Sequence, residues 1–222
     1  MLELINSSKD LIIKSFDKIA KDLILNRAIS VNGYLFSFID IEFYYHHENH
    51  PDGYTLKHER PKGELEIHRF GIDLSLGKTW ENGYGGILIC GLYDLQNSHP
   101  IPKAQVIREL FNKIKMGENK VELIEIKPLW NDVFKSRRQY LGNPGTEINK
   151  SDFVNSLYKY VARDETLLKD YRGKEAILRS SELNEEDIEK LIKYKLKKWS
   201  PTTVPTPSTF QTFCVQTRGT PK

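Results

Sequence analysis

Residues Asn32–Tyr45 read NGYLFSFIDIEFYY. Asn32-Gly33 is a two-residue turn signal, because both residues tolerate positive φ. The run after it alternates with period two. Ile39, Ile41 and Phe43 therefore point one way, and Asp40, Glu42 and Tyr44 the other. A strand rises about 3.3 Å per residue, so Glu42 and Tyr44 sit roughly 7 Å apart along one face. Upstream, Ser7 or Ser8 caps an amphipathic helix that runs to Asn26. Leu11, Ile12, Phe16, Ile19, Leu23 and Ile24 recur in it at helical spacing.

Downstream, His46–Lys62 is polar, with two prolines and Gly53, and reads as a long loop. Gly63 opens a second strand, Glu64–Leu74. Glu64, Glu66, His68 and Phe70 share one face and Leu65 and Ile67 take the other; Gly71 suggests a bulge. Trp80–Gly86 is a glycine-rich turn, and Ile87–Leu92 is an apolar run of buried-strand length. A helix is expected over Pro102–Lys115, stopped by Gly117, and a strand over Val121–Ile126. Lys135–Gly145 reads as a basic loop, and Ser151–Arg163 as a short helix or turn around Tyr158 and Tyr160. Asn184 caps a last helix to Trp199, with Glu185, Glu186 and Asp187 in its first turn and Lys195, Lys197 and Lys198 in its last. Hairpin-linked strands with helices in mixed order predict an α+β fold: a single domain with a mixed, largely antiparallel sheet core flanked by helices. Its expected extent is residues 1–180, with an appended helix over 181–199 and a disordered Thr/Pro-rich tail over 200–222.

With 222 residues, 39% hydrophobic and 28% charged, the chain has ordinary soluble globular composition. A net charge of +3 permits an acidic partner without demanding one. Cys90 and Cys214 form neither a disulfide framework nor a zinc spacing, which favours a reducing compartment. The first residues are too broken by Lys and Asp for a signal peptide, and no apolar run approaches membrane-spanning length. A cytoplasmic protein with no membrane partner is the expectation.

Five of the six histidines fall within residues 39–68. Glu42 lies among Phe36, Phe38, Phe43 and Tyr44, company that desolvates a carboxylate, raises its proton affinity and makes it usable as a base. The competing reading is an edge-strand Glu facing water. Tyr44, Tyr45, His58, His68 and Phe70 offer flat faces nearby, which suits stacking on an extruded base or simply filling a sheet face. A metal reading would draw on His46, His47, His50 and Asp52 with His58 or His68. Neither H-E-x-x-H nor a paired-Cys motif is present, and adjacent His46 and His47 on an extended chain point to opposite faces.

The order of these signals resembles the alkyladenine (3-methyladenine) DNA glycosylases. The resemblance runs through Ala20-Lys21-Asp22-Leu23-Ile24, Glu42-Phe43-Tyr44, Asp52 and His58, Gly63–His68, Phe70-Gly71, Gly86–Leu92, Pro102-Lys103, Arg137–Gly142 and Tyr158-Lys159-Tyr160. It covers roughly residues 16–163. It implies a hydrolase acting on a modified, alkylated purine flipped out of double-stranded DNA, without metal, cofactor or covalent intermediate, and a monomer. By position, Glu42 would activate water, Tyr44, His58 and His68 would sandwich the base, and Phe70 would wedge the duplex. Lys135, Arg137 and Arg138 are the candidate phosphate contacts. The chain departs from the family pattern at Cys90, where the resemblance calls for Arg beside the catalytic Glu, and at His68, where it calls for Tyr. Two other readings stand beside it: a metal-dependent nuclease using His46, His50, Asp52 and His58, and a non-catalytic nucleic-acid-binding relative.

Overall fold

In a computed structural model, residues 2–79, 83–142, 148–171 and 173–192 are described. Helix α1 (Lys9–Asn26) is capped by Ser8, whose hydroxyl accepts from the Leu11 N–H at 3.3 Å. It buries Ile12, Phe16, Ile19, Ala20, Leu23 and Ile24. Strands β1 (Arg27–Val31) and β2 (Tyr34–His47) follow, joined by Asn32-Gly33 with φ of 52° and 86°, the two positive values that a tight hairpin turn requires. Phe16 stacks on Phe43 with ring centroids 4.5 Å apart, so α1 covers the Phe43 face of β2. Asp40, Glu42 and Tyr44 are left to the opposite face.

Strand β2 is the spine of the sheet. Its first four residues, Tyr34–Ser37, pair with β1, and Phe36–His46 pair with β6 (Gly83–Asp94) on the other side. A register shift between Phe38 and Ile41 marks a bulge, a device that bends a strand and re-aims its side chains. The chain between β2 and β6 makes β3 (His50–Pro51), β4 (Leu65–His68) and β5 (Gly71–Thr79). After β6 come β7 (His99–Pro102), α2 (Lys103–Phe111), β8 (Val121–Glu125) and β9 (Val133–Ser136). Helix α3 (Ile148–Ser151), β10 (Lys159–Ala162), α4 (Glu165–Asp170), α5 (Lys174–Arg179) and α6 (Glu185–Ile192) complete the described fold. Every strand pairing described is antiparallel, in one ten-stranded sheet. The fold is α+β, with helices against a large antiparallel sheet.

Four sequence expectations are corrected. The strand expected over Glu64–Leu74 is a hairpin: His68 pairs with Gly71, and Arg69-Phe70 form its tip. The cue was weak because Gly71, at φ 146°, was its only turn residue. The short helix or turn expected around Tyr158 and Tyr160 is β10, buried at all four positions and paired with β2 and β9. The first third of the expected His46–Lys62 loop is ordered as the end of β2 and β3. The expected helix Pro102–Lys115 ends at Phe111.

The expected appended helix is described over Glu185–Ile192, where Ile188 and Leu191 join the same core as Phe16 and Phe43. The remainder of that helix, the tail and residues 80–82 of the glycine-rich turn lie outside the described residues; the rest of that expected turn, Gly83–Gly86, is also corrected, since it opens β6 and pairs with β2.

Candidate active site

Glu42 is 1% exposed, and three donors hold it. Its Oε2 accepts from the Tyr44 hydroxyl at 2.8 Å. Its Oε1 accepts from the Gln139 backbone N–H at 3.0 Å and from Lys159 Nζ at 3.2 Å. A carboxylate has about four lone-pair sites, so one, on Oε2, stays unused. Lys159 also meets Asp40 Oδ1 at 2.5 Å, and Tyr171 donates to Asp40 Oδ2 at 3.0 Å. One ammonium is thus shared between two buried carboxyl groups.

Strand periodicity builds the trio. Asp40 and Glu42 are i and i+2 on β2, and Lys159 stands opposite Glu42 on β10. The raised proton affinity expected for Glu42 is corrected: burial pushes the carboxyl upward, but Lys159, the Gln139 N–H, Lys103 and the Tyr44 hydroxyl outweigh it and hold the group below its ordinary value. Burial wins at Asp40, despite Lys159, and raises it. Burial would lower Lys159, but the neighbouring carboxyl groups of Asp40 and Glu42 overcome it and raise the ammonium. Burial and then Glu42 raise Tyr44, which keeps it a neutral donor. Cys90 is buried beside the trio, and burial raises its thiol well above the ordinary value.

Two cavities open on this face. The smaller, about 210 Å³, is walled by Tyr44, Tyr54, His68, Phe70, Leu88 and Tyr140. Thr55 and Asp73 add polar groups to it. Thr55 Oγ1 is buried with no hydrogen-bond partner among the described residues. Asp73 Oδ1 faces His68 Nε2 at 3.1 Å, and this contact raises the imidazole pKa. Gly86 is required behind it, since a Cβ there would meet Asp73 Oδ2 at 2.9 Å. The larger cavity, about 550 Å³, has Asp40, Glu42, Cys90, Lys159 and Tyr171 in its wall and Arg69 among its lining residues. Phe70, Lys103, Gln139 and Tyr140 line both. A flat ring in the first cavity and a water in the second would lie on either side of the Glu42–Tyr44 pair.

The sequence candidates divide accordingly. Glu42, Tyr44, His68 and Phe70 come together around the cavities. His58 does not: its Nε2 lies 2.9 Å from the Gly85 carbonyl, and it is absent from both linings. Lys135 is not a free phosphate contact, since its Nζ pairs with Asp17 at 2.7 Å. Arg138 is fully buried, bidentate on Asp52 at 2.6 and 3.3 Å, and donates to the Phe43 and Phe153 carbonyls. Its guanidinium lies 4.7 Å from the Tyr44 ring centre, so it braces the site from behind. Arg137 is exposed.

The residues of the metal reading are committed to other partners. His50 bridges the Tyr45 carbonyl and the Tyr158 hydroxyl, Asp52 holds Arg138, and His46 stacks on Tyr84. Among the described residues no group of three or more His, Cys, Asp or Glu could hold a metal ion. No described helix is long and apolar enough to cross a membrane.

Lys159, Tyr54, Asp73, Lys103 and Tyr140 are site residues that sequence reasoning missed. Alternation within Tyr158-Lys159-Tyr160 was the available signal for Lys159. Comparison of the chain with family models, with curated proteins and with solved structures returns no match.

Two outcomes follow for stability. Arg138→Met strands the buried Asp52 charge and is expected to cost about 3–5 kcal/mol, while Arg137→Met should stay within about 0.5 kcal/mol; urea denaturation checks both. The folded pKa of Glu42 lies below the unfolded one. Its contribution to stability is therefore full above the ordinary Glu value and lost as pH falls through the folded value. Glu42→Gln should remove that acid-side loss, read from urea midpoints across a pH series.

Proposed function

We propose that the protein is a DNA N-glycosylase that excises a modified, alkylated purine flipped out of a duplex. The observation that carries the reading is Glu42: a buried carboxylate held ionised, with one lone pair to spare, in the wall of the larger cavity and bonded to the Tyr44 hydroxyl, whose residue walls the aromatic one. In this reading the base stacks among Tyr44, Tyr54, His68 and Phe70, and Thr55 Oγ1 and Asp73 meet its polar edge. The sugar faces the larger cavity. Water attacks C1′ as the C1′–N bond breaks, and Glu42 takes the proton from the water. A purine alkylated on N3 or N7 carries positive charge, so its base departs neutral without an acid. The Glu42 carboxylate favours the cationic character that develops at the sugar.

Lys159 supports the same reading. It supplies the positive partner that Cys90 does not, from the strand on the other side of β2. Phe70 is 49% exposed at a hairpin tip beside Arg69, whose guanidinium lies 4.5 Å from its ring. That tip suits a wedge flanked by a phosphate contact. Arg69, Lys103 and Arg137 take over the phosphate role expected of Lys135 and Arg138.

Incubation with alkylated duplex DNA, followed by hot alkali, should produce breaks at abasic sites. Glu42→Gln should lower the excision rate by about 10²–10⁴-fold, as loss of a general base does, with duplex affinity retained. Unchanged cleavage by that variant would remove Glu42 from the chemistry. Absence of breaks with the native chain, on every alkylated substrate offered, would remove the reading itself.

A further inference from the structure

Tyr140 is an aromatic residue whose placement the fold does not explain by packing. It is 91% exposed, although large rings ordinarily bury. Its φ is 59°, in the left-handed region that non-glycine side chains avoid. Such positions persist only where neighbours over-determine them, and they gather at functional sites. The neighbours here are explicit. Arg138 is locked by Asp52 and two backbone carbonyls. The Gln139 N–H is bound to Glu42, and the Gln139 side chain donates to the Arg137 carbonyl and to Ser180 Oγ. With both preceding residues fixed, the chain turns left-handed at the next and carries its ring outward. Tyr140 is a lining residue of both cavities, as Phe70 is from the β4–β5 tip. One peptide unit separates it from the N–H that holds Glu42.

We propose that Tyr140 is a ligand-stacking residue, whose ring closes on a flat heteroaromatic ring seated in the aromatic cavity. This rests on the reading of that cavity as a nucleobase site, and it adds a stacking surface from the segment that also anchors Glu42. The backbone strain and the exposure are then the preparation for a ligand rather than a contribution to the fold.

Glycine adopts φ near 60° freely. Tyr140→Gly therefore relieves the backbone while removing the ring, and separates a binding role from a structural one. The probe is a duplex carrying one 2-aminopurine opposite cytosine, with affinity read by anisotropy of a distal dye and stability by thermal melting. Tyr140→Gly should melt no lower than the native chain, yet bind about 5- to 150-fold more weakly, the loss expected for one base–aromatic stack. Tyr140→Phe should bind as the native chain does. Equal affinity of the glycine variant, a lowered melting temperature for it, or an equal loss in the phenylalanine variant each overturns the proposal.

Fluorine NMR on 3-fluorotyrosine-labelled protein, with free adenine as ligand, separates this idea from the duplex reading. The Tyr140 signal is the one missing from Tyr140→Phe. If the native chain binds no duplex but that signal moves with adenine, the DNA reading falls and the stacking role stands. If neither probe engages, both fall.

Discussion

The ammonium of Lys159 lies between two carboxylates in a sheet interior, and the site depends on that placement. Asp40, Glu42 and Lys159 are each no more than 2% exposed. A buried charge without a partner is expensive, by several kcal/mol per ion, and removing one member of such a pair strands the other. The pairing of β10 with β2 is what brings the three together, through the Lys159–Glu42 register. Hydrogen bonds from Tyr44, Gln139 and Tyr171 satisfy much of the remaining capacity. The arrangement contributes little to stability by analogy with other buried ion pairs. It fixes which carboxylate stays charged: Glu42 is lowered and Asp40 raised.

A second buried pair, Arg138 with Asp52, sets the other wall. It ties the polar segment after β3 to the segment after β9, and it places a guanidinium behind the Tyr44 ring. The two ion pairs are linked through consecutive residues, since Arg138 holds Asp52 while the next N–H holds Glu42. Burial has thus converted two basic residues of the chain from surface charge into framework. Arg69 and Lys103 line the larger cavity, and Arg137 is exposed on the segment after β9.

Local pattern made the first half of the molecule legible. The α1 periodicity, the Asn32-Gly33 turn and the alternation of β2 gave the hairpin and put Asp40, Glu42 and Tyr44 on one face. Tertiary pairing decided what pattern could not. β10 is four residues long, too short for alternation to outweigh a turn reading, and only its fit between β2 and β9 makes it a strand. Lys159 was missed for the same reason. Lys135 and Arg138 looked like surface charge because a linear sequence does not display Asp17 or Asp52 as their partners. His58 lies in a segment with no regular pattern, so nothing local signalled that Gly85 would engage it.

The charge state of Glu42 is the central physical claim, and it can be read without any substrate. Carbon-13 NMR of the Glu42 side-chain carboxyl, assigned by its loss in Glu42→Gln, follows the group directly through a pH titration. A midpoint below the ordinary Glu value of about 4.3 is the expected result, with the anion persisting throughout the neutral range. A midpoint at or above that value would contradict the claim, because Lys159 would then not be holding the group as an anion.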